Sequence, residues 1–258
     1  MNRKLSLNGA WQMRPADEAQ WMNAAVPGSV YADLMDNGRM DDPFWRDNEL
    51  AAFDLMEKDY LYRRDFTLTG DDLVCDALLL VCEGLDTLAT VRVNGCSVLT
   101  NGCEALRADN MHRTWIADVR PLVRAGENRI EIAFASPNRY EKAAYARSRV
   151  DGSTDCTVGF PFLRKAHCMS GWDWGPRLPD AGVWRDIYLA RVETGRLVSV
   201  RVHQEHADGR VTLSFFPEIE KYGDGAVCVR YTVTDPSGAK LCAEGNTLRI
   251  ESPRLWWP

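Results

Sequence analysis

Short stretches in which polar and apolar residues alternate, separated by turn signals, recur along most of this sequence. The alternation runs through residues 60–66, 89–93 and 129–134, and a continuous apolar run covers residues 78–82. Successive side chains of a strand point to opposite faces of a sheet, so a period of two predicts half-buried strands. The pair Asn94-Gly95 is a strong hairpin signal. Many short strands joined by turns favour an all-β antiparallel sandwich of the jelly-roll kind.

Helical signals in this chain are few and short. Ser29 can cap a helix over residues 30–35, because its hydroxyl accepts a hydrogen bond from a backbone N–H of the first turn. Asn37-Gly38 predicts the end of that helix. A further helical turn is predicted over residues 50–58, and residues 140–149 are interpreted as a short helix or a basic loop.

A second all-β unit is predicted after Gly195, following a closing strand of the first sandwich at residues 183–189. Strands of this second unit are predicted over residues 197–202, 210–215, 226–233 and 241–243, with a turn at residues 235–238. An immunoglobulin-like sandwich needs about 100 residues and seven strands. Fewer residues remain, so we expect residues 196–258 to form a sandwich that is incomplete at its C-terminus, and the chain to be the front part of a longer protein.

The charge and hydropathy of the chain exclude several classes of partner. The 258 residues carry a formal net charge of −6, so the basic surface typical of nucleic-acid and anionic-membrane binding is missing. No apolar run reaches the length of a transmembrane helix. Residues 1–15 lack the apolar region of a secretory signal, which predicts a cytoplasmic protein.

Cysteine and histidine spacings give no metal or redox motif. The eight cysteines include no C-x-x-C pair. A bridge between Cys96 and Cys103 across a hairpin is one alternative, but the missing export signal favours reduced thiols. His203 and His206 lack a third ligand nearby, so a solvated strand end is favoured over a metal site. Phosphate-binding loops are absent as well, and we expect neither a cofactor nor a metal.

The segment Gly171-Trp172-Asp173-Trp174-Gly175-Pro176 is the strongest candidate for a binding site. Indole faces can stack on the C–H side of a sugar ring, and a carboxylate accepts strong hydrogen bonds from hydroxyl groups. The glycine before Pro176 is biased away from helix, which predicts an irregular loop. Asp173, Trp172 and Trp174 are therefore the predicted substrate-binding residues. The alternative, slightly favoured by the chemistry alone, places both indoles in a sandwich core with Asp173 capping a turn.

No catalytic residue is predicted in the chain. Glycosidases usually need a pair of carboxylates, and nothing marks two of the 37 acidic residues for that work. Asn48-Glu49 is the tempting candidate, but it lies in a charged loop before the first sandwich strand.

The order of short motifs along the chain resembles the N-terminal part of the β-mannosidases of glycoside hydrolase family two. The matching segments include residues 7–11 (Leu-Asn-Gly-Ala-Trp), 26–30 (Val-Pro-Gly-Ser-Val), 42–44 (Asp-Pro-Phe), 48–49 (Asn-Glu), 84–87 (Gly-Leu-Asp-Thr), 93–95 (Val-Asn-Gly), 110–113 (Asn-Met-His-Arg), 164–166 (Arg-Lys-Ala), 171–176 (Gly-Trp-Asp-Trp-Gly-Pro), 182–184 (Gly-Val-Trp) and 255–258 (Leu-Trp-Trp-Pro). Single segments are weak signals, and their number and order make the resemblance specific.

The resemblance implies a jelly-roll sugar-binding-type domain over residues 1–195 and an immunoglobulin-like domain over residues 196–258. In the family a (β/α)₈ barrel follows and supplies both catalytic glutamates of a retaining mechanism. That barrel, a C-terminal part of the same polypeptide, is one expected partner, and a β-mannoside oligosaccharide is the other. The position matching the family's mannose-binding aspartate is Asp173, with Trp172 beside it.

Other classes of function remain open at this point. The chain could be a free carbohydrate-binding module, which would need an exposed aromatic platform. It could be the front of another family-two enzyme, such as a β-galactosidase, a β-glucuronidase or an exo-β-glucosaminidase. It could also be a structural module that forms a homodimer through unpaired strand edges.

Overall fold

A computed structural model describes residues 4–100 and 104–256 of the protein. The chain divides into two compact units, Met1–Arg191 and Val192–Pro258. The described residues of the first unit form three α-helices: α1 (Val30–Asp36), α2 (Asn48–Leu55) and α3 (Pro137–Arg147). None of the helices in the described part of the chain is long and apolar enough to cross a membrane.

The strands of the first unit, in chain order, are β1 (Lys4–Ser6), β2 (Gly9–Pro15), β3 (Met22–Val26), β4 (Tyr60–Leu68), β5 (Ala77–Cys82), β6 (Leu85–Asp86), β7 (Leu88–Val93), β8 (Cys96–Ser97), β9 (Leu99–Thr100), β10 (Glu104–Ala105), β11 (Arg107–Asp109), β12 (Trp115–Asp118), β13 (Gly126–Phe134), β14 (Ser170–Trp172), β15 (Gly175–Arg177), β16 (Gly182–Val183) and β17 (Ile187–Val192). The second unit contains β18 (Gly195–Ala207), β19 (Arg210–Lys221), β20 (Thr232–Thr234), β21 (Lys240–Cys242) and β22 (Thr247–Ile250).

Two antiparallel sheets form the body of the first unit. One has the strand order β11-β7-β13-β4-β2-β3, with β8 paired to β7, and the other has the order β1-β17-β5-β12. Buried side chains from both sheets, among them Tyr62, Ile132, Leu80 and Leu189, belong to one hydrophobic core. A core shared by two sheets defines a sandwich, so the predicted all-β sandwich is confirmed.

The period of two located three strands of the larger sheet correctly, namely β4, β7 and β13. In β13, Asn128, Ile130, Ile132 and Phe134 are buried and alternate with more exposed residues. The Asn94-Gly95 hairpin is confirmed, because Val93 pairs with Cys96 across it.

The helix signals are also confirmed, with shifted ends. Ser29 caps α1 and its hydroxyl accepts from Ala32 N at 3.4 Å, and the helix ends at Asn37 as its C-cap. The helical turn predicted over residues 50–58 begins earlier, at Asn48. Residues 140–149 belong mostly to α3, where Ser136 caps the helix by accepting from Arg139 N at 3.1 Å.

The single strand predicted over residues 183–189 is wrong, because the chain forms two strands there. β16 pairs with β6, whereas β17 pairs with β1. Between them Trp184 leaves the strand path and donates from Nε1 to the carbonyl of Met111 at 3.2 Å. A Cβ at Gly84 would lie 2.5 Å from the same indole nitrogen, so only glycine accommodates the ring.

The second unit is a three-stranded sheet of order β18-β19-β22 with a separate β20–β21 pair. Its small core contains Val211, Leu213, Phe215 and Leu248. The turn predicted at residues 235–238 is confirmed by the hydrogen bond from Gly238 N to Asp235 O at 2.9 Å. The strand predicted over residues 226–233 is wrong, since regular pairing begins only at Thr232.

Two predictions fall on residues that the structure does not describe. Cys103 of the alternative bridge lies outside the described residues, as do Trp257 and Pro258 of the last segment that matches the family. The seven cysteines within the described ranges are all free thiols.

A buried ion pair ties distant segments of the first unit together. The side chains of Lys165 and Asp86 are 2% and 5% exposed. Lys165 Nζ donates to Asp86 Oδ2 and to the carbonyl of Asp180. Asp86 ends β6, which pairs with β16, so one ammonium group joins that strand pair to the segment that leads into β14.

We predict that Lys165→Met destabilises the protein by about 3–5 kcal/mol, because it leaves the Asp86 carboxylate buried without its cation. Chemical denaturation followed by circular dichroism measures the loss. The matched control is Lys58→Met, which removes a half-exposed lysine paired with Asp17 and Glu18 and should cost less than about 1 kcal/mol. If both variants lower the free energy of unfolding equally, burial of the Lys165–Asp86 pair adds nothing to the cost of removing its cation.

Candidate functional site

The Trp-Asp-Trp segment forms a β-hairpin. Strands β14 and β15 pair, with Trp172 opposite Gly175, so Asp173 and Trp174 occupy a two-residue turn. The predicted irregular loop is therefore wrong. Each strand of a two-stranded ribbon has one edge without a partner strand. A proline whose nitrogen faces that edge does not interrupt the hydrogen bonds between the two strands, so Pro176 is compatible with β15.

The hairpin presents its three candidate residues to solvent. Trp172 is 48% exposed and Trp174 is 78% exposed, and Asp173 between them is also exposed. In the described part of the chain no hydrogen bond or ion pair engages the Asp173 carboxylate. The alternative that places both indoles in the sandwich core is therefore wrong, and the predicted role of the three residues in substrate binding stays a prediction.

A short preceding segment holds the base of the hairpin. Cys156 Sγ donates to the carbonyl of Gly171 at 2.8 Å, and Thr157 N donates to the carbonyl of Ser170 at 2.8 Å. Arg177 Nε donates to the carbonyl of Asp155 at 3.0 Å. Residues 155–157 thus contact both strands of the hairpin, which fixes the position of the turn that carries Asp173.

The backbone at Gly171 has no room for a side chain. Its φ is +99°, and an added Cβ would lie 2.9 Å from the carbonyl oxygen of Asp155. The left-handed conformation and the close approach both require glycine. Gly171 therefore allows residues 155–157 to pack directly against the hairpin backbone.

Helix α3 supports the same segment through a buried carboxyl group. Thr157 Oγ1 donates to Glu141 Oε2 at 3.1 Å, and Glu141 is only 2% exposed. Gly159 has φ +88°, and a Cβ there would lie 2.3 Å from the carbonyl oxygen of Glu141. Burial raises the pKa of Glu141 to about 7, against the opposing effect of the hydrogen bond from Thr157. The support of the hairpin therefore includes a carboxyl group that titrates near neutral pH.

Glu49, which sequence analysis set aside as a catalytic acid, lies in the first turn of α2. The neighbouring Asn48 side chain donates to the carbonyl of Asp42 at 2.8 Å. This bond closes the loop before the helix, so Asn48 of the Asn-Glu pair has a structural role.

Clusters of metal-ligating side chains were sought in the residues that the structure covers. Among residues 4–100 and 104–256, no three His, Cys, Asp or Glu side chains come together as a metal site requires. His203 and His206 are both exposed on β18, in keeping with the favoured interpretation of a solvated strand.

Sequence reasoning identified the segment that carries the candidate residues and missed the residues that hold it. Thr157 and Glu141 are 16 residues apart and meet only because α3 packs beside the segment before β14. A glutamate in a helix rich in charged residues gives no signal of burial. Gly171 and Gly159 both have a positive φ. The presence of a glycine at each position is the sequence signal for this conformation, and it is a weak one.

Comparison with known proteins places the first unit in a family. A model described as the glycosyl hydrolase 2 galactose-binding domain-like region matches residues 11–185. The β-mannosidase of Capra hircus is 31% identical over 200 residues, which cover 72% of this chain and 21% of that protein. A protein of Caenorhabditis elegans named probable β-mannosidase is 29% identical over 287 residues, covering 100% of this chain and 31% of that protein. The chain thus spans about a fifth to a third of the length of these curated relatives.

Solved structures agree with this placement. The crystal structure of a β-D-mannosidase from Dictyoglomus thermophilum is 28% identical and superposes with a TM-score of 0.83, covering 99% of this chain and 32% of that one. An exo-chitosanase of Amycolatopsis orientalis is 17% identical with a TM-score of 0.63, covering 99% of this chain and 30% of that one. The second likeness shows the fold alone.

We predict that Glu141→Gln stabilises the protein relative to the wild type as the pH rises. Folding raises the pKa of Glu141 from 4.5 to about 7. The contribution of Glu141 to the free energy of unfolding is therefore complete at pH values below its pKa in the unfolded chain, and it is lost as the pH rises through about 7. Glutamine does not titrate. The difference in unfolding free energy between variant and wild type should therefore grow by on the order of 2–3 kcal/mol between about pH 4 and about pH 8.

Denaturant titrations across that pH range measure the difference. The control is Glu127→Gln, which replaces an exposed glutamate of β13 and should leave the difference nearly constant with pH. If the difference in unfolding free energy for Glu141→Gln also stays constant with pH, Glu141 is not held in its neutral form.

Proposed function

The chain belongs to glycosyl hydrolase family 2, and we propose that it is the non-catalytic N-terminal portion of a retaining exo-β-mannosidase. Such an enzyme hydrolyses terminal non-reducing β-D-mannose residues. The substrate would be a β-mannoside oligosaccharide, and the catalytic glutamates would come from a (β/α)₈ barrel of the same polypeptide. Support comes from the β-mannosidases that resemble this chain over most of its length.

The observation that carries the proposal is the exposed hairpin with an unengaged carboxylate at its turn. Asp173 lies between two indoles, one of them 78% exposed, on a hairpin whose strands are held by residues 155–157. A carboxylate on a rigid support can accept hydrogen bonds from sugar hydroxyls without first being ordered, and the indoles can cover the C–H face of the ring.

Asp173 would act on the reaction by positioning the sugar. While the nucleophile of the barrel attacks the anomeric carbon and its acid protonates the leaving oxygen, Asp173 would hold the terminal mannose in the orientation that this attack requires. Positioning of this kind contributes several kcal/mol to catalysis in favourable cases. Trp172 and Trp174 would limit the freedom of the ring by stacking.

Several finer features belong to the same proposal. We propose that residues 1–195 are the jelly-roll sugar-binding-type domain and residues 196–258 part of an immunoglobulin-like domain. A cytoplasmic location is part of the same proposal. A homodimer formed through unpaired strand edges is a further proposal, supported only by the short exposed strands of the second unit.

A second candidate is a free carbohydrate-binding module. The exposure of both indoles on one hairpin favours it, since such a module needs an aromatic platform. The two candidates differ in affinity, because half of a pocket binds mannose weakly. Calorimetry of the chain with mannose distinguishes them, and tight binding would support the module against the proposed enzyme portion.

We predict that the chain by itself does not hydrolyse an aryl β-mannoside, because the barrel that would supply both glutamates is a separate part of such an enzyme. Release of the aryl alcohol is followed by absorbance, with buffer as the reference. Turnover that survives repeated purification would show that this chain carries a complete active site.

We predict that Asp173→Asn impairs a chimera in which this chain replaces the matching region of the Dictyoglomus thermophilum β-mannosidase. Loss of a charged hydrogen-bond acceptor costs about 1.5–3 kcal/mol, so kcat/KM for an aryl β-mannoside should fall by about 10- to 100-fold. The control is Asp151→Asn, which changes an exposed aspartate bonded to Tyr145 and Arg149. Full activity of the Asp173→Asn chimera would exclude the proposed role.

A further inference from the structure

Residues 155–157 lie between helix α3 and the hairpin that carries Asp173. On the side of the helix, Thr157 Oγ1 donates to Glu141 Oε2 at 3.1 Å. On the side of the hairpin, Thr157 N donates to the carbonyl of Ser170 in β14 at 2.8 Å. One residue thus bonds to the helix through its side chain and to the hairpin through its backbone. A movement of Thr157 away from α3 therefore also changes the support of the hairpin.

The carboxyl group of Glu141 is buried beside this segment. Glu141 is 2% exposed, and its Oε1 atom has no hydrogen-bond partner among the described residues. A single hydroxyl donor, that of Thr157, does not compensate an ionised carboxylate for the loss of its surrounding water. Burial therefore favours the neutral form. In that form the proton resides on Oε1, and Oε2 remains the acceptor of the hydrogen bond from Thr157.

The charged and titratable groups around Glu141 do not supply a cation for its ionised form. They are Glu49 of α2, Lys142 of α3, and Asp155, Cys156, Lys165, His167 and Arg177 on the segments packed nearby. Each lysine and arginine among them has another partner: Glu57 for Lys142, Asp86 for Lys165, and the carbonyl of Asp155 for Arg177. Lys165 lowers the pKa of Glu141 through its charge, but the opposing effect of burial is larger.

The segment that contains Thr157 can move more easily than the helix. Residues 150–155 are mostly exposed and form no helix or strand, whereas α3 is capped by Ser136 and buries Asn138 and Ala144. A cavity of about 360 Å³ adjoins Thr157 and Glu141, which leaves the segment room to shift. When Glu141 is ionised, we therefore expect water to reach its carboxylate through local displacement of residues 155–157.

We propose that Glu141 is a positioning residue whose protonation state governs how firmly the hairpin is held. The neutral carboxyl group keeps Thr157, and with it the base of the hairpin, against α3. Ionisation of this group increases the fraction of molecules in which the segment is open. The opening is a property of the chain itself, and only its consequence for the positioning of a sugar by Asp173 rests on the proposed function.

The direction of the pH effect follows from the two arrangements. Burial raises the pKa of Glu141 to about 7 in the closed arrangement, whereas an exposed glutamate has the ordinary value of 4.5. The closed arrangement is therefore favoured at low pH, and this advantage is lost as the pH rises from the lower to the higher of these values. We expect the equilibrium constant for opening to rise by about 10- to 100-fold between about pH 5 and about pH 8.

The test is amide hydrogen exchange of the whole native chain, followed by NMR at several pH values. Division by the intrinsic exchange rate at each pH gives the opening constant of each amide. The Thr157 amide, which bonds to Ser170, reports the segment. The Ile132 amide, in the central strand β13, reports unfolding of the first unit. The opening constant should be larger at Thr157 than at Ile132, and equal constants at every pH would overturn the proposal.

Two glutamine variants test the role of the carboxyl group. Glu141→Gln should remove most of the rise in the opening constant at Thr157, because glutamine stays neutral and can still accept from the Thr157 hydroxyl. The matched control Glu127→Gln, in an exposed position of β13, should show the same rise as the wild type. An undiminished rise in Glu141→Gln would overturn the proposal.

A second pair of variants tests the contact between Thr157 and Glu141. At about pH 5, Thr157→Val should raise the opening constant at position 157 by about 5-fold or more, because one hydrogen bond to α3 is lost. The matched control Thr154→Val changes an exposed residue of the same loop and should open as the wild type does. Equal opening constants in these two variants would overturn the proposal. No sugar enters these measurements, so their failure leaves the proposed function standing, and failure of the Asp173→Asn chimera assay leaves the role of Glu141 standing.

Discussion

A single buried ion pair, Lys165 with Asp86, joins three separate segments of the larger unit. Lys165 belongs to the stretch that leads into β14, Asp86 ends β6, and the carbonyl of Asp180 accepts the second hydrogen bond of the ammonium group. Asp180 in turn accepts from Tyr31 N at 3.0 Å, which connects α1 to the same network. Taking two charges out of water is costly, and the pair is tolerable only when both partners are present and well bonded. The network therefore permits few alternative positions for the chain that carries the hairpin.

The hairpin adds its own supports to this framework. Residues 155–157 bond to both of its strands, and Glu141 of α3 bonds to Thr157. Among the residues that the structure describes, the Asp173 side chain at the turn has no hydrogen-bond or ion-pair partner. This is the arrangement expected when function lies on a loop and rigidity lies in the scaffold. A carboxylate at such a turn meets a ligand in a position that is set before binding, so little of the binding free energy is lost in ordering it.

The sequence predicts most of the sandwich because alternation is a local signal, and β4, β7 and β13 lie where the pattern places them. The errors have tertiary causes. Trp184 leaves the strand path to reach Gly84 and Met111, which splits the strand predicted over residues 183–189. Pro176 fits a strand only because its ribbon has a free edge. The contact between Glu141 and Thr157 has no local signature, since helix packing brings it about and neither residue type is unusual where it stands.

Exposed indoles at the turn remain the strongest argument for a binding function. Large apolar side chains gain free energy when they leave water, about 25 cal/mol for each Å² that is buried. Trp172 and Trp174 forgo much of this gain in the described structure, with 48% and 78% of their surfaces exposed. A sugar has one C–H face and a rim of hydroxyl groups, so it can bury apolar surface and supply hydrogen-bond donors at the hairpin. A purely apolar partner would cover the indoles but leave the Asp173 carboxylate desolvated and unpaired, which is the more costly outcome.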